Sequence, residues 1–208
     1  YSNKMTISEQ INHSVLGILL AGGDSSRFGK RNKLFVEIEG RSIIEIATQN
    51  LIESRVESVK VVTGYQADLV EKELSHLDIE FLYNEDWRVG QSTSVRRGLR
   101  AVLKEEAVLF ALGDMPFVKS SSIDKLIFAQ GDEEIGKIFV AGCGGKKGNP
   151  VLFRSSVLDA LEEVLRGDEG GNSFIQNVGM NLVETGDEGV LWDIDTSEDL
   201  ENGFPFEE

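Results

Sequence analysis

The run Val15-Leu16-Gly17-Ile18-Leu19-Leu20-Ala21 stops abruptly on Gly22-Gly23, and this junction constrains the chain more than any other. A short, almost uninterrupted apolar run suits a strand buried on both faces, which belongs to a parallel sheet covered by helices. Two glycines at its exit let the backbone turn sharply and approach a ligand closely. Arg27, Gly29 and Lys33 follow in the same loop. Free backbone N–H groups beside two cations suit a polyphosphate, with amides for its oxygens and an Arg fork for bidentate contact. A plain βα turn with solvated cations has the same composition, so the loop alone leaves both readings open. It is not a dinucleotide fingerprint, because G-x-G-x-x-G is absent, and not a Walker A loop, because G-x-x-x-x-G-K-[ST] is absent.

The rest of the chain repeats the strand-then-helix order. Leu34 to Ile38 reads as an extended piece, and Ser42-Ile43-Ile44-Glu45 is a capping box opening a helix with Ile43, Ile44, Ala47, Leu51 and Ile52 on one face. Val59 to Thr63 is a buried strand stopped by Gly64, Ala67 to Leu77 an amphipathic helix, and Ile79 to Tyr83 a third strand. Strand, helix, strand, helix, strand implies right-handed parallel crossovers. The predicted class is α/β: three layers, a mostly parallel Rossmann-like sheet with helices on both faces.

Three further segments carry polar chemistry at element ends. Asn84 to Ser94 contains Trp87, Gly90, Ser92, Thr93 and Ser94 ahead of a helix expected from Val95 to Leu103. Those hydroxyls either cap the helix or contact a nucleotide at its N-terminus. Ala107 to Leu112, the most apolar run, must be a central strand and delivers Gly113-Asp114-Met115-Pro116 where open α/β sheets bind ligands. Asp114 is a helix cap, a turn former or a metal ligand; capping is the weakest reading, because Pro116, Phe117 and Val118 precede the Ser120–Ser122 start of the next helix, expected over Ser122 to Ala129. Late in the chain, a strand expected over Gly189 to Ile194 ends in Asp193-Ile194-Asp195-Thr196, whose two acids alternate onto one face.

Between these lie a strand from Lys137 to Ala141, a glycine- and lysine-rich loop from Gly142 to Gly148 and a strand from Asn149 to Phe153. The loop reads either as a mobile hairpin or as a flap over an anionic substrate. Ser155 to Leu165 is a helix, ended by Gly167-Asp168-Glu169-Gly170-Gly171, and Asn181 to Glu184 is a strand.

With 208 residues the chain fits one domain, residues 15–208, preceded by residues 1–14 as an N-terminal extension or cloning remnant. A net charge of −15 argues against a nucleic-acid partner but leaves room for a nucleotide, because a basic loop and a metal can reverse the field inside one cleft. No apolar run has the length of a membrane span, residues 1–14 lack the apolar core of a signal peptide, and Cys143 is the only cysteine; together these suit a reducing cytoplasm. His13 and His76 lie outside every motif and read as surface residues.

The loop from Leu20 to Lys33 resembles L-A-[AG]-G-x-S-x-R-[MF]-G-x-x-K of nucleotidyltransferases related to the molybdenum cofactor cytidylyl- and guanylyltransferases. It departs in one place: Gly29 to Lys33 is one residue longer than G-x-x-K, and Lys33 is chosen over Lys30 because it precedes Leu34. Asn84 to Val95, Gly113-Asp114-Met115-Pro116, Gly167 to Gly171 and Asp193 to Leu200 are similar to later motifs in family order, and Gly148-Asn149-Pro150 stands where the family has G-H-P. The resemblance implies the nucleotide-diphospho-sugar transferase type of fold and a Mg²⁺-dependent transfer, CMP from CTP to the phosphate of molybdopterin, with pyrophosphate leaving. It gives Arg27, Lys33 and Asp114 to catalysis and Asp114 and Asp195 to Mg²⁺. It gives Leu20, Ala21, Gly22, Gly23, Arg27, Lys33, Gly64, Ser92, Ser94 and Gly113 to the nucleotide, and Asn149 and Asp168 to the acceptor. A molybdoenzyme receiving the product is a further implied partner. Ala21-Gly22-Gly23 looks like the guanylyl branch, and the remaining segments look like the cytidylyl branch. Rival readings are a guanylyltransferase, a sugar- or alditol-phosphate nucleotidyltransferase, a glycosyltransferase using Asp193-Ile194-Asp195, and a cofactor-holding maturation chaperone.

Overall fold

The computed structural model describes residues 14–24, 28, 32–131, 136–166, 171–196 and 198–201. In chain order the elements are β1 (Val15–Ala21), β2 (Glu37–Ile38), β3 (Arg41–Ser42), α1 (Ile43–Ile52), β4 (Ser58–Thr63), α2 (Ala67–Glu73), β5 (Glu80–Tyr83), α3 (Gln91–Leu99) and β6 (Ala107–Leu112). There follow α4 (Ser120–Gln130), β7 (Ile138–Cys143), β8 (Lys146–Arg154), α5 (Leu158–Val164), α6 (Asn172–Val178), β9 (Asn181–Glu184) and α7 (Glu198–Glu201).

Seven strands form one sheet in the order β5-β4-β1-β6-β8-β7-β9. β5, β4, β1 and β6 run parallel; β8 pairs antiparallel with both β6 and β7, and β9 runs parallel to β7. The apolar runs explain the parallel half. Val15, Leu19 and Ala21 of β1 pack toward one face with Leu109 and Ala111 of β6, under Ile44 and Leu51 of α1, Val70 of α2 and Leu126 of α4. Leu16 and Ile18 of β1 pack toward the other face with Val108 and Phe110, against Val95 and Leu99 of α3, Leu161 of α5 and Phe174 of α6. Alternate residues thus fill two cores, so both sides of β1 and β6 are apolar and the three-layer expectation holds. Leu16, Ile18 and Leu19 are fully buried, and truncating any one of them to Ala would cost about 2–5 kcal/mol.

The chain leaves β1 toward β4 and β5 on one side and returns to β6 on the other. The crevice between the exits of β1 and β6 is therefore a topological switch point, the usual ligand position of such sheets.

Several expected elements differ. α3 begins at Gln91, four positions before Val95, and its N-cap is Gly90 with no side-chain capping bond. The hydroxyls therefore lie inside the first turn, and capping does not explain them. α2 ends at Glu73 and continues as turns to Leu77. α4 starts at Ser120, and its free N-terminus is met by Asp187, not by its serines: Lys119 N and Ser122 Oγ both donate to Asp187 Oδ2, at 3.0 and 2.7 Å. The Gly142–Gly148 loop is a tight hairpin turning on Gly144 and Gly145 (φ 58° and 77°), with Lys146 and Lys147 already in β8 and Gly145 N donating to Glu184 Oε1 at 2.7 Å. The 189–194 strand is absent; Glu188–Leu191 is a 3₁₀ turn, followed by a strap through Asp195 that belongs to neither helix nor strand. Close packing imposes this: a Cβ on Gly189 would stand 2.1 Å from Phe117 O, and one on Gly148 would stand 1.9 Å from Val190 O.

Candidate active site

The exits of β1, β4, β5 and β6 open on one edge of the sheet. At the first, Gly22 stands so close to α3 that an added Cβ would lie 3.1 Å from Ser94 Oγ. From behind, Tyr65 N donates to Gly22 O at 3.1 Å, and a Cβ on Gly64 would meet that oxygen at 2.8 Å. The turn is thus clamped between the exit of β4 and the start of α3. Asn84, buried at the exit of β5, fixes that helix start: its Nδ2 donates to Thr93 Oγ1 at 2.9 Å and to Ser94 Oγ at 3.0 Å, while its Oδ1 accepts from Asp86 N. Thr93 Oγ1 turns back to donate to Gly90 O at 2.8 Å. Gly90 has φ 134°, a region that a side chain would strain. Trp87 packs on Tyr65 with ring centroids 5.4 Å apart and carries the Arg88 guanidinium 4.1 Å above its ring.

Two lobes of one cleft meet here. The first, about 450 Å³, is walled by Gly22, Gly23, Trp87, Arg88 and Ser94. The second, about 470 Å³, has Val95, Phe110 and Val151 in its floor and Lys147, Asn149 and Asn172 among its polar groups. Leu20, Gln91, Leu112 and Asp114 border both lobes.

At that shared border, charges concentrate. Lys33 opens a 3₁₀ turn, Lys33–Phe35, capped by Asn32, whose Oδ1 accepts from Leu34 N at 3.1 Å and whose Nδ2 donates to Gln66 Oε1 at 3.2 Å. The Lys33 ammonium reaches Asp114 Oδ2 at 2.7 Å and Asp195 Oδ1 at 2.8 Å. Asp114, Asp193 and Asp195 each present a carboxylate oxygen, all within 4.8 Å of one another. The strap is registered by Ile194 N donating to Asp114 O at 3.0 Å, and Asp199 Oδ2 accepts from Asp195 N and Thr196 N at 2.9 and 2.7 Å. Thr196 Oγ1 accepts from Asp199 N in return, a capping box at the start of α7.

Electrostatics follow the geometry. Burial works against the Lys33 ammonium, but Asp114 and then Asp195 outweigh it and hold its pKa above the usual 10.5. Burial and the neighbouring Asp114 and Asp195 raise Asp193 above the ordinary aspartate range. The backbone N–H of Thr196, then that of Asp195, lowers Asp199.

An oxygen-only cluster of three carboxylates suits a hard divalent cation such as Mg²⁺. One detail fits a site for a cation. Asp114 Oδ1 is buried with no hydrogen-bond partner among the described residues, an arrangement that costs free energy unless something meets it.

Of the residues singled out in the sequence, Leu20, Gly22, Gly23, Ser94 and Asp114 line the first lobe, and Asn149 and Asp195 the second. Ala21, Gly64, Ser92 and Gly113 stand behind the walls: Gly64 against Trp87, Gly113 against Ile44, and Ala21 and Ser92 buried. Arg27 and Asp168 lie outside the described residues. Sequence reasoning missed Arg88, Gln91 and Asn172. Arg88 and Gln91 flank Gly90 inside a segment already marked by its hydroxyls. Asn172 carried no signal, because α6 itself, seven residues between Gly171 and Gly179, was not foreseen.

A mostly parallel sheet with a charged cleft at its switch point defines the class as an α/β protein with its ligand site at the sheet edge. The profile of the MobA-like NTP transferase domain matches residues 17–184, and the chain belongs to that family. It is 24% identical over 192 residues to nicotine blue oxidoreductase of Paenarthrobacter nicotinovorans, spanning 89% of this chain and 94% of that protein. Among solved structures, a nucleotidyl transferase from Methanothermobacter thermautotroptrophicus superposes with a TM-score of 0.79 at 22% identity, covering 91% of this chain and 95% of the other. A Mycobacterium tuberculosis protein in complex with manganese superposes with a TM-score of 0.76 at 19% identity, covering 91% and 97%. These two share the fold. Among the described residues no helix is long and apolar enough to cross a membrane.

Proposed function

We propose that the protein is a metal-dependent nucleotidyltransferase moving CMP from CTP to the phosphate of a molybdopterin-type acceptor. The observation that carries this reading is the meeting of Lys33 and Asp195 with Asp114, the acid that borders both lobes. A donor and an acceptor, one in each lobe, would bring their reacting phosphates together at that border. The first lobe takes the nucleotide: Gly22 and Gly23 let its phosphates approach the backbone, Ser94 offers a hydroxyl, and Trp87 and Arg88 offer stacking and charge. The second takes the acceptor, with Lys147 and Asn149 available to its polar groups.

In the reaction an acceptor phosphate oxygen bonds to the α-phosphorus as the bond to the bridging oxygen breaks, and pyrophosphate leaves. A phosphate monoester is largely doubly ionised at neutral pH, its second pKa being about 6, so no general base is needed. This agrees with Asn149 standing where the resemblance has histidine. Catalysis is then alignment and charge stabilisation. Lys33 and Arg27 neutralise charge on the transferring phosphates. Asp114, Asp193 and Asp195 would hold Mg²⁺, which when bound spreads the negative charge of the phosphates.

The test is pyrophosphate release from each nucleoside triphosphate with molybdopterin as acceptor. CTP with Mg²⁺ should support turnover, and Asp114→Asn and Lys33→Ala should each lower kcat by on the order of 10²–10³. Turnover with GTP alone would assign the guanylyl branch, and near-wild-type turnover in either variant would remove the assignment of roles. A second reading, oxidoreduction, draws on the near-full-length similarity to a protein named nicotine blue oxidoreductase. Oxidation of NADH or NADPH by a quinonoid dye, unaffected by Asp114→Asn, would favour it.

A further inference from the structure

We infer that the Lys33 ammonium is the resident counter-ion of the carboxylate cluster, and that it must leave Asp114 and Asp195 for a divalent cation to bind. This rests on reading the cluster as a metal site.

Two observations and one electrostatic argument carry the inference. The ammonium bonds Asp114 Oδ2 at 2.7 Å and Asp195 Oδ1 at 2.8 Å, so it holds the carboxylates of two of the three acids that would coordinate a metal. A divalent ion bound through both acids would lie within a few ångström of Nζ, where repulsion between the two cations is strong in a partly buried site. Lys33 also leaves one oxygen unmet, the buried Asp114 Oδ1. One ammonium therefore satisfies part of a cluster of three carboxylates.

The attachment of Lys33 is suited to such a move. Its backbone is pinned by Asn32, through Leu34 N and Gln66 Oε1, while its head rides on a flexible four-carbon stem. Asp114 borders the first lobe together with Gly22 and Gly23. An ammonium displaced from Asp114 has that lobe beside it, and an anionic ligand there is its natural new partner. Metal and nucleotide phosphate would then bind with positive coupling: the cation releases Lys33, and the phosphate receives it.

Mn²⁺ alone, without nucleotide, is the probe. Binding is followed by the electron paramagnetic resonance of the free ion for the wild type, Lys33→Met and Asp114→Asn. Lys33→Met, which keeps the stem and removes the charge, should bind Mn²⁺ at least tenfold more tightly than the wild type, and Asp114→Asn should lose binding. Equal affinity in wild type and Lys33→Met, with Asp114→Asn still defective, would overturn the displacement and leave the metal site standing. No binding by any of the three would overturn both.

A measurement on the unaltered protein covers the case in which Lys33→Met does not fold. The Lys33 side chain is only 12% exposed in its ion pairs, so reductive methylation should be slow. Mn²⁺ should speed it several-fold, with exposed Lys146 as the internal control. Unchanged or slower modification of Lys33 would overturn the inference.

Discussion

The backbone N–H of Ile194 donates to the carbonyl of Asp114 at 3.0 Å. That bond sets the strap beside the exit of β6, with Asp193 and Asp195 flanking the point of attachment. Acids far apart in the chain thereby come within coordinating distance of one another. Site geometry in this protein depends on how the strap is anchored as much as on the acids themselves.

Asp187 is the anchor most open to test. Its carboxylate is buried and accepts from Lys119 N, Ser122 Oγ and Gly189 N, tying the start of α4 to the turn that precedes the strap. Asp187→Ala should lower unfolding stability by about 2–3 kcal/mol, as loss of hydrogen bonds to a charged group does. Urea denaturation measures this; a loss below about 0.5 kcal/mol, the range of ordinary surface changes, would show the anchor to be dispensable. Mn²⁺ affinity should fall as well, although Asp187 is no ligand.

Asn84 acts on the nucleotide side in a similar way. Asn84→Ala leaves the buried Thr93 and Ser94 hydroxyls without their donor and should cost about 1–3 kcal/mol of stability. Because Ser94 faces Gly22, nucleotide affinity should drop about tenfold, equivalent to about 1.4 kcal/mol, while acceptor affinity stays. Calorimetric titration of both ligands separates these outcomes, and an equal loss for both would mean general unfolding of the edge.

The sequence made the sheet legible where burial dominates. β1 and β6 end at Ala21 and Leu112 as expected, because each apolar run closes on glycine and both faces are covered. It misled where tertiary contacts decide. Ser92 and Ser94 look like caps, yet the helix already includes them and Asn84 engages the Ser94 hydroxyl. Gly189 to Ile194 has the apolar content of a strand, but Gly189 must lie against Phe117, and the segment coils there. The contact of Lys33 with Asp114 and Asp195 was beyond local pattern: proximity across such separations belongs to topology, although each residue had been marked singly.

The raised pKa of Lys33 has a definite sign in stability. A cation whose folded pKa exceeds its unfolded value stabilises fully below the unfolded value, here 10.5, and the effect is lost as pH rises through the folded value. The stability difference between wild type and Lys33→Met should therefore be flat from neutrality to about pH 9.5 and shrink only in more alkaline solution. For so partly exposed a cluster its size should be about 1–3 kcal/mol, below that of a fully buried pair. Urea denaturation across that range checks it; a difference already shrinking between pH 7 and 9 would mean that Asp114 and Asp195 do not hold the ammonium.

The central claim is that one cleft binds a nucleoside triphosphate together with a divalent cation held by Asp114. Thermal unfolding with CTP, GTP, ATP or UTP, each with Mg²⁺ and with EDTA, tests it most directly. A ligand at about 100 times its Kd adds roughly 2.7 kcal/mol, which for a chain of this size is a rise in Tm of roughly 5–11 °C. The expected result is such a rise with CTP and Mg²⁺, abolished by EDTA and by Asp114→Asn. No rise with any nucleotide, or a rise indifferent to both EDTA and Asp114→Asn, would contradict it.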